Sequence, residues 1–496
     1  MTTLSKSKYL AGCQCPKRLW LACFEPELAT EAGAADQGQL EMGQEIGRHA
    51  HALFPGGMLV EEEAWRHGEA IARTRAVLED SSVPAIFEAA FEHDGIRIRV
   101  DVLERLAESS WGLREVKSTT SVKEVHLDDL AVQRFVLERC GLRVHSTELI
   151  HVNRDFVRGE GPIDWRSFFS RVELATEVTM RLAAVPERIA VLRSILAQPV
   201  APGIEPSPHC FVPRACEFWE HCTREKPADW ILYLPRLGAS RFAELHAAGI
   251  ECIADVPDNV PLTRLQARAR DVHRSGRPFV ASELADALAD TGPPGCYLDF
   301  ETINPAVPLY SGTGPYEPVP VQWSLHRVDR DGRLGHGDFL AREDADPRRP
   351  FAETLLAALA HCDGPIVVYS SFERRILEAL RTGFPDLAEP LADVLSRLVD
   401  LLPVVRRHLY HAEFGGSFSL KSVGPALVPG LGYGDLDGIT NGGEASTALL
   451  QLALGRVTDG PELERLRHAL RAYCGRDTEA LLRLHRRLQE LCLEVG

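Results

Sequence analysis

The sequence GCYLDFET, residues 295–302, says most about the fold and chemistry of this chain. Its apolar, aromatic and β-branched residues are typical of a strand, and it carries two carboxylates, Asp299 and Glu301. Side chains two residues apart on a strand point to the same face, about 6–7 Å from each other. Such a pair can hold two divalent metal ions about 4 Å apart, as two-metal phosphodiester hydrolysis requires. A lone D-x-E pair usually marks a solvated strand face, so the interpretation depends on residues downstream.

Length and composition restrict the class of protein. The chain has 496 residues, of which 45% are hydrophobic, and this length suggests about three domains with buried cores. It has neither a basic segment followed by an apolar one at its start nor an apolar run of about 18 residues. We therefore expect a soluble, unexported, cytoplasmic protein without a membrane role. Its twelve cysteines are then expected to be free, metal-bound or cluster-bound rather than paired in disulfides.

The net charge of −16 argues against a broadly basic protein that coats DNA. It does not exclude an enzyme that acts on nucleic acid, because metal-binding carboxylates are themselves acidic. Basic residues can also be concentrated locally, as in RRHLYH at 406–411 and RLRHALRAYCGR at 465–476. Taken singly, such clusters are more often solvated helix faces.

Two segments are typical of joints between domains: TREKPAD at 223–229 and a stretch rich in Gly and Pro at 275–295. They predict a first domain at 1–225, a small helical connector at 226–290 and a last domain at 291–496.

Hydrophobic patterns predict a mixed α/β fold of the α+β kind. The predicted elements of the first domain are strands at 96–104, 111–118 and 144–152, a helix at about 122–140 and a long helix over 165–198. The last domain is predicted to begin with strands at 296–301, about 319–327 and 364–371, and to be mostly helical afterwards.

Three further residues of the last domain can join Asp299 and Glu301. Glu373 comes just after the strand VVYSS, and Tyr473 and Asp477 lie four residues apart on a helical pattern, hence on one helix face. The set supplies four carboxylates and a phenol, enough to hold two metal ions and to position an attacking water.

This part of the chain resembles the DEDD family of 3′–5′ exonucleases, which share an RNase H-like fold. YLDFET resembles their first motif, YSSFERRIL the second and YCGRDTEALL the third, of the Tyr-x-x-x-Asp type, while DLLPVVRRHLY and GSFSLKSV resemble a segment in between. The resemblance implies that Asp299, Glu301 and Asp477 bind Mg²⁺ or Mn²⁺ and that Tyr473 orients the water. The family usually has aspartate where this sequence has the longer Glu373.

The first domain carries a second acidic set. Asp101 lies on one predicted strand, and Glu115 and Lys117 lie on one face of its partner. Two acids can hold a divalent ion, and a nearby lysine can steady a phosphate or the attacking water. Gln133 shares a helix stripe with leucines and so faces inward, either as an ordinary hydrogen-bonded core amide or as part of the site.

This set resembles the PD-(D/E)XK nucleases of the RecB type, which have a restriction-endonuclease-like fold. GRHAHALF supplies His51 at the G-x-x-x-H spacing of the family, with His49 as a rival. Asp101, the sequence EVK and Gln133 match the later motifs. The tyrosine that the family has four residues after the glutamine is missing, because position 137 is leucine.

Cysteines mark both ends of the first domain. PHCFVPRACEFWEHC places Cys210, Cys216 and Cys222 six residues apart, unlike the C-x2-C of common zinc sites, and CQCPKRLW lies near the start. The layout resembles RecB-type nucleases with a [4Fe–4S] cluster, including CRISPR adaptation nucleases, and implies Cys15 as fourth ligand, with Cys13 as the alternative. Zinc or unliganded core thiols are the other interpretations. The remaining cysteines are assigned to packing: Cys23, Cys140, Cys252, Cys296, Cys362, Cys474 and Cys492.

The connector, LPRLGASRFAELHAAGIECIADVPD, resembles a helix-hairpin-helix module, although a plain helical spacer fits as well. The whole chain therefore suggests a metal-dependent nuclease with two candidate sites that acts on nucleic acid, either DNA, which is favoured, or RNA. One alternative is a nucleic-acid-binding scaffold in which one or both sites are inactive. The other is a zinc-stabilised adaptor with no nucleic-acid role. Whether the protein has protein partners does not follow from the sequence.

Overall fold

The computed structural model describes residues 3–107, 109–342, 345–362, 364–436 and 438–495. The fold is mixed α/β, with 19 α-helices and three sheets among these residues. The chain forms two compact units. The first contains the residues up to Glu225 together with Pro305–Glu317, and the second contains Lys226–Asn304 together with the residues from Pro318 onward. The segment predicted as a connector lies in the second unit.

The described part of the first unit is built on a seven-stranded sheet in the order β2-β3-β4-β5-β6-β7, with β1 paired beside β4. Its strands are β1 (Leu4–Ser5), β2 (Met58–Leu59), β3 (Ala85–His93), β4 (Ile96–Ala107), β5 (Ser110–Lys117), β6 (Val144–Val152) and β7 (Phe169–Glu173). β3, β4 and β5 form an antiparallel meander, and β6 runs parallel to β5. On β4 every second residue from Ile96 to Val102 is fully buried, so the predicted alternation is confirmed.

The helices of the first unit cover this sheet and join its ends. They are α1 (Lys6–Gln14), α2 (Pro16–Phe24), α3 (Ala34–Ala50), α4 (His67–Glu79), α5 (Glu124–Arg139), α6 (Trp165–Phe168), α7 (Ala175–Leu182), α8 (Val185–Leu196) and α9 (Trp219–Thr223). The buried face of α5, including Leu130 and Leu137, packs in one core with Leu113 of β5.

The long helix predicted over 165–198 is wrong, because this stretch contains α6, β7, α7 and α8. Phe169–Glu173 pairs antiparallel with β6, and the Arg171 side chain reaches Glu148 across the strands at 2.6 Å. Pro186 lies in the first turn of α8, where a backbone N–H has no acceptor within the helix and its absence in proline is tolerated. The pairing of β7 with β6 and the proline at the start of α8 therefore divide the stretch that hydrophobic periodicity predicts as one helix.

Pro305–Glu317 joins β9 to β10 along the chain but belongs to the first unit. The backbone N–H of Arg158 donates to the carbonyl oxygen of Thr313 at 3.0 Å. The Tyr316 hydroxyl donates to the carbonyl oxygen of Ser118, the residue after Lys117. The first unit is therefore completed by residues from a distant part of the sequence.

The described part of the second unit contains a five-stranded sheet, β11-β10-β9-β12-β13, and a two-stranded sheet, β14-β8. The strands are β8 (Phe279–Val280), β9 (Gly295–Ile303), β10 (Val319–Val328), β11 (Leu334–Leu340), β12 (Ile366–Val368), β13 (Leu398–Asp400) and β14 (Leu409–Tyr410). β9 is central: it pairs antiparallel with β10 and parallel with β12. The predicted strands at 296–301 and 319–327 are confirmed, whereas β11 was not predicted.

The helices of the second unit are α10 (Ala239–Ala247), α11 (Arg264–Ser275), α12 (Leu284–Leu288), α13 (Arg348–Leu359), α14 (Phe372–Gly383), α15 (Ala388–Ser396), α16 (Leu401–His408), α17 (Leu420–Leu427), α18 (Gly442–Ala453) and α19 (Gly460–Val495). α11 begins at a capping box of Thr263 and Gln266 and ends at Gly276, whose φ of 65° suits glycine. The 36-residue α19 packs along β9 and β10.

Cys296 and Cys362 form a disulfide, with Cα atoms 6.3 Å apart. The prediction that no cysteines pair is therefore wrong for these two, which were assigned to packing alone. Cys296 lies on β9 and Cys362 follows α13, and both are buried in one core. Their proximity comes from the packing of α13 on the sheet, which residue spacing does not reveal.

Among the described residues, we find no helix whose length and apolar character would let it cross a membrane.

Candidate functional site

The second unit gathers three predicted acids. Asp299 and Glu301 point from one face of β9, and Asp477 projects from α19, which packs against that strand. One carboxylate oxygen from each residue lies within 4.8 Å of the others. The intervening Phe300 faces the core on the other side of the sheet. The strand therefore directs Phe300 toward Phe351 of α13 and its two acids toward α19.

Glu373 belongs to the same cavity but not to this closest group. It lies in the first turn of α14, just after β12, the parallel neighbour of β9, and only 4% of it is exposed. With Asp299 and Asp477 it lines a cavity of about 670 Å³. The Ser370 hydroxyl lies 3.5 Å from the Glu373 carboxylate. Glu373 thus shares a cavity with two of the three acids.

Two further side chains hold the third motif in place. The ammonium of Lys421, from the segment GSFSLKSV, donates to the Tyr473 hydroxyl. The Tyr433 hydroxyl donates to Asp477 Oδ1 at 2.5 Å. Sequence reasoning named Tyr473 but missed Tyr433, because it lies in the Gly-rich run GLGYGD, which has no periodicity. Lys421 lies in the segment GSFSLKSV, but its hydrogen bond with Tyr473 was not predicted.

The segment that carries Lys421 approaches the site through a glycine. Gly416 has a φ of 77°, and a Cβ there would overlap the carbonyl oxygen of Tyr233. The following residues, Ser417 to Lys421, line the acid cavity, and Ser419 caps α17. A side chain at position 416 would displace this wall of the site.

Crowding of like charges dominates the electrostatics of this cavity. Burial, and then the neighbouring acids, raise the pKa of Asp299 well above its usual value. The same causes raise the pKa of Glu301 to about 8, and burial raises the pKa of Glu373 to about 7. Buried carboxylates this close cannot all ionise without a cation. The site therefore has the donor set and the unmet charge that suit a hard divalent ion.

This crowding predicts how metal stabilisation depends on pH. Because the folded-state pKa of Glu301 is raised, the folded protein binds more protons than the unfolded chain between about pH 4.5 and 8, so metal-free stability falls as pH rises. A divalent ion removes the repulsion. We expect Mn²⁺ to raise the melting temperature by at least about 5 °C more near pH 8.5 than near pH 6.

Thermal denaturation with and without Mn²⁺ at the two pH values measures this effect. The pH dependence should disappear in a variant with both Asp299→Asn and Glu301→Gln. An equal or smaller gain at the higher pH would contradict it.

The first unit also brings its predicted residues together. Glu115 accepts from Lys117 at 2.5 Å and from Gln133 at 2.7 Å. Asp101 accepts from the backbone N–H of Val116 at 2.7 Å and lines one cavity with Glu115 and Lys117. Burial raises the pKa of Asp101, whereas Lys117 and Lys6 outweigh burial and lower the pKa of Glu115. Gln133 is wholly buried, and its Oε1 is unpartnered among the described residues.

His51, rather than His49, faces this cavity. His51 lines it and stacks on Phe87, with ring centroids 3.9 Å apart, and burial lowers its pKa. His49 instead stacks on Trp165 and lies 3.7 Å from Glu45. Leu137, at the position of the missing tyrosine, is fully buried in the core.

Lys6 and Asp129 belong to this site and were missed. Lys6 Nζ lies 2.9 Å from Glu115 Oε1 and 3.4 Å from Asp129 Oδ1, and Asp129 also accepts from Lys117 at 2.8 Å. Burial by itself lowers the pKa of Lys6. The nearby carboxylates of Asp129 and Glu115 raise it by more, so the pKa is well above its usual value. An ammonium group thus lies against the carboxylate predicted to bind metal. No local signal predicts this, because Lys6 arrives through the pairing of β1 with β4.

Lys6→Met is expected to strengthen Mn²⁺ binding in the first unit by about tenfold, because no ammonium then competes for Glu115. It should also lower metal-free stability by about 1–3 kcal/mol, because a buried carboxylate loses its partner. Mn²⁺ titration in an Asp299→Asn background, with thermal denaturation, measures both. Lys123→Met, at an exposed lysine, is the matched control. Weaker Mn²⁺ binding in Lys6→Met would contradict the competition.

Glu88 is a further acid that sequence reasoning missed. It lies within β3 between Phe87 and Ala89, which pair with Val102 and Val100 of β4, and its φ of 55° is in the left-handed region that non-glycine residues seldom occupy. Its side chain lines the cavity with Asp101, and burial raises its pKa. A glutamate held in a strained conformation beside two other acids adds one more oxygen donor to the site.

Cys15, Cys210, Cys216 and Cys222 line one small cavity of the first unit. Burial raises the pKa of Cys210, Cys222 and Cys216, that of Cys216 to about 11. Cys13 lies outside this cavity and interacts with Tyr9 and Arg188.

The two ends of the unit are joined next to these thiols. Gln14 Nε2 donates to the carbonyl oxygen of Arg214 at 2.8 Å, and Arg18 pairs with Glu217 at 2.7 Å. These two interactions join the N-terminal helices to the cysteine-rich segment.

The spacing of the thiols bears on what they could hold. A tetrahedral zinc ion with Zn–S distances of about 2.3 Å needs sulfurs about 3.8 Å apart. No three of these four sulfurs lie within 4.8 Å of one another, since among the described residues only Asp299, Glu301 and Asp477 meet that limit.

A family model described as a domain of unknown function (DUF2779) matches residues 296–419. The matched stretch contains Asp299, Glu301 and Glu373 and ends before Lys421, Tyr473 and Asp477. No curated protein matches the chain.

Proposed function

We propose that this protein is a metal-dependent nuclease that hydrolyses phosphodiester bonds in DNA or RNA, with one site in each unit. The observation that carries the proposal is the grouping of Asp299, Glu301 and Asp477 within 4.8 Å. These residues come from a strand and a helix more than 170 positions apart in sequence, and their pKa values are raised by burial. Keeping buried acids so close costs stability, and a bound cation offsets that cost.

In the second unit, Asp299, Glu301 and Asp477 would hold Mg²⁺ or Mn²⁺, with Glu373 in the same cavity as two of them. The metal would supply charge neutralisation at the phosphate and a more acidic bound water. The hydrogen bond from Lys421 fixes the Tyr473 hydroxyl, which can then orient a water, and the bond from Tyr433 fixes Asp477. The sheet order supports assigning this unit to the RNase H-like fold and to exonuclease chemistry.

In the first unit, Glu115 and Asp101 would hold the ion, with Glu88 as an added oxygen donor. Lys117 would steady the phosphate, and Gln133 fixes Glu115. The antiparallel meander followed by a helix and a parallel strand supports a PD-(D/E)XK domain. Cys15, Cys210, Cys216 and Cys222 would hold a [4Fe–4S] cluster that fastens the two ends of this unit.

A second candidate function is nucleic-acid binding with the first-unit site inactive. The contact of Lys6 with Glu115 favours it, since an ammonium then permanently replaces a metal ion. In this case cleavage would depend on the second unit alone.

Purified protein assayed with Mg²⁺ or Mn²⁺ tests both candidates. The substrates are single- and double-stranded oligodeoxynucleotides, and matching RNA, labelled at either end. Asp101→Asn and Asp299→Asn, alone and together, separate the sites. A two-site nuclease loses part of its cleavage in each single variant and all of it in the double variant.

If Asp101→Asn alone leaves every cleavage rate unchanged, the second candidate replaces the first. If wild type and the double variant behave alike on every substrate, the nuclease proposal is wrong.

A further inference from the structure

Beside the acid cavity, the second unit has a second cavity, of about 770 Å³, with a basic lining. Arg264 and Arg268 come from α11, Arg277 from the loop after it, and Arg407 from the last turn of α16. We call this cavity the arginine groove. Four guanidinium groups around one cavity are unusual in a chain of net charge −16.

The charges of the groove are largely uncompensated. Arg264, Arg277 and Arg407 are exposed, and none forms an ion pair with any carboxylate in the described part of the chain. Two acids also lie in the lining: Asp271 is engaged by Arg270 at 3.1 Å, and Glu283 accepts a hydrogen bond from the Ser282 hydroxyl at 3.1 Å. Burial and the neighbouring Arg264 lower the pKa of Arg268. These guanidinium groups repel one another and would be stabilised by an anionic ligand.

An aromatic side chain lies among the arginines. The Arg268 guanidinium is 3.9 Å from the ring centroid of Phe279, on β8. Arg268 Nη1 also donates to the backbone carbonyl oxygen of Arg407 at 2.8 Å, which holds α11 against the end of α16. A groove that combines arginines with an aromatic ring has the side-chain chemistry that binds single-stranded nucleic acids.

The groove adjoins the acid cavity, because two helices line both. On α11, Leu265 lines the acid cavity while Arg264 and Arg268 line the groove. On α16, Arg406 lines the acid cavity and the next residue, Arg407, lines the groove. Neighbouring residues of each helix thus line the two cavities.

We propose that the arginine groove binds the backbone phosphates of the single strand whose terminal nucleotide lies at Asp299, Glu301 and Asp477. This inference rests on the proposed function and narrows the substrate of the second unit to nucleic acid with a single-stranded end. Double-stranded ends would have to fray to enter.

The test is a triple variant, Arg264→Glu, Arg277→Glu and Arg407→Glu, in a full-chain background that carries both Asp101→Asn and Asp299→Asn, so that neither proposed site cleaves the probe. Binding of fluorescent oligothymidylates of about 4 and about 12 nucleotides is followed by anisotropy over a range of salt concentrations. The triple variant with glutamine at the same three positions removes the charges without reversing them, and it replaces the glutamate variant if that protein misfolds. Arg333→Glu, Arg381→Glu and Arg465→Glu, at exposed arginines outside both cavities, are the matched control.

The groove variant should bind the longer probe at least about tenfold more weakly, with the salt slope reduced by about 2, while the shorter probe loses much less. The control should keep both affinities. Equal losses in the groove and control variants, or no binding of the longer probe by the background protein, would overturn the inference.

Cleavage is assayed separately in chains that keep Asp299. A protein that never cleaves but binds through the groove contradicts the proposed function and leaves the groove in place. A protein that cleaves, but whose binding of the longer probe is unaffected by the groove variant, contradicts the groove inference and leaves the proposed function in place.

Discussion

Replacing Asp299 by asparagine should lower the rate of exonucleolytic cleavage by the second unit at least about a thousandfold. Asparagine keeps the shape of the side chain but removes one of the three carboxylates that lie within 4.8 Å of one another. Burial and the neighbouring acids raise the pKa of Asp299, which means that its charged form is disfavoured in the fold. Because asparagine carries no charge, the metal-free variant should melt at the same temperature as wild type or higher. Rate measurements with Mn²⁺ on a single-stranded substrate, made in an Asp101→Asn background so that only the second unit cleaves, and metal-free melting check both parts.

Asp386→Asn is the matched control, since Asp386 lies in the same unit on the surface and pairs with Arg349. It should leave the cleavage rate within about twofold of wild type. Loss of activity in Asp299→Asn accompanied by a lower metal-free melting temperature would indicate misfolding rather than loss of a ligand.

Substitution of Cys216 by serine should remove the iron and the broad visible absorption of the purified protein. It should also lower the melting temperature of the first unit by about 10 °C or more. The four thiols lie around one cavity at the junction of the N-terminal helices with the segment before Glu225. A group bound by all four therefore contributes directly to the stability of this unit. Iron analysis, absorption spectra and thermal denaturation measure the effect.

Cys13→Ser separates the two candidate fourth ligands. Cys13 lies outside the cavity that Cys15 lines, so this variant should keep its iron and colour, whereas Cys15→Ser should lose both. Stoichiometric zinc without iron in the wild-type protein would contradict the cluster. So would retention of iron in Cys15→Ser.

The parts of the sites that lie on regular elements could be predicted from the sequence. Period-two alternation places Asp299 and Glu301 on one face of a strand, and it does the same for Glu115 and Lys117. Helical periodicity correctly predicted that the side chain of Gln133 faces inward. In each case the local pattern fixes the direction of the side chain without reference to the rest of the fold.

Residues that reach a site through tertiary pairing could not be predicted in this way. Lys6 reaches Glu115 only because β1 pairs with β4, about 90 residues away, and Tyr433 reaches Asp477 from an irregular Gly-rich segment. β11, with the sequence LGHGDFL, has two glycines and weak strand propensity, and it pairs along β10. The disulfide between Cys296 and Cys362 also depends on packing of distant elements.

The central claim is that the acids of the second unit act through a metal ion bound against the scissile phosphate. Its most direct test is cleavage of an oligonucleotide in which sulfur replaces one non-bridging oxygen of that phosphate. Because Mg²⁺ prefers oxygen and Mn²⁺ accepts sulfur more readily, the substitution should slow the reaction at least about a hundredfold with Mg²⁺ and restore most of the rate with Mn²⁺, for one of the two phosphorothioate stereoisomers. Equal slowing with both metals for both stereoisomers, or no cleavage of the unmodified strand with either metal, would contradict the account.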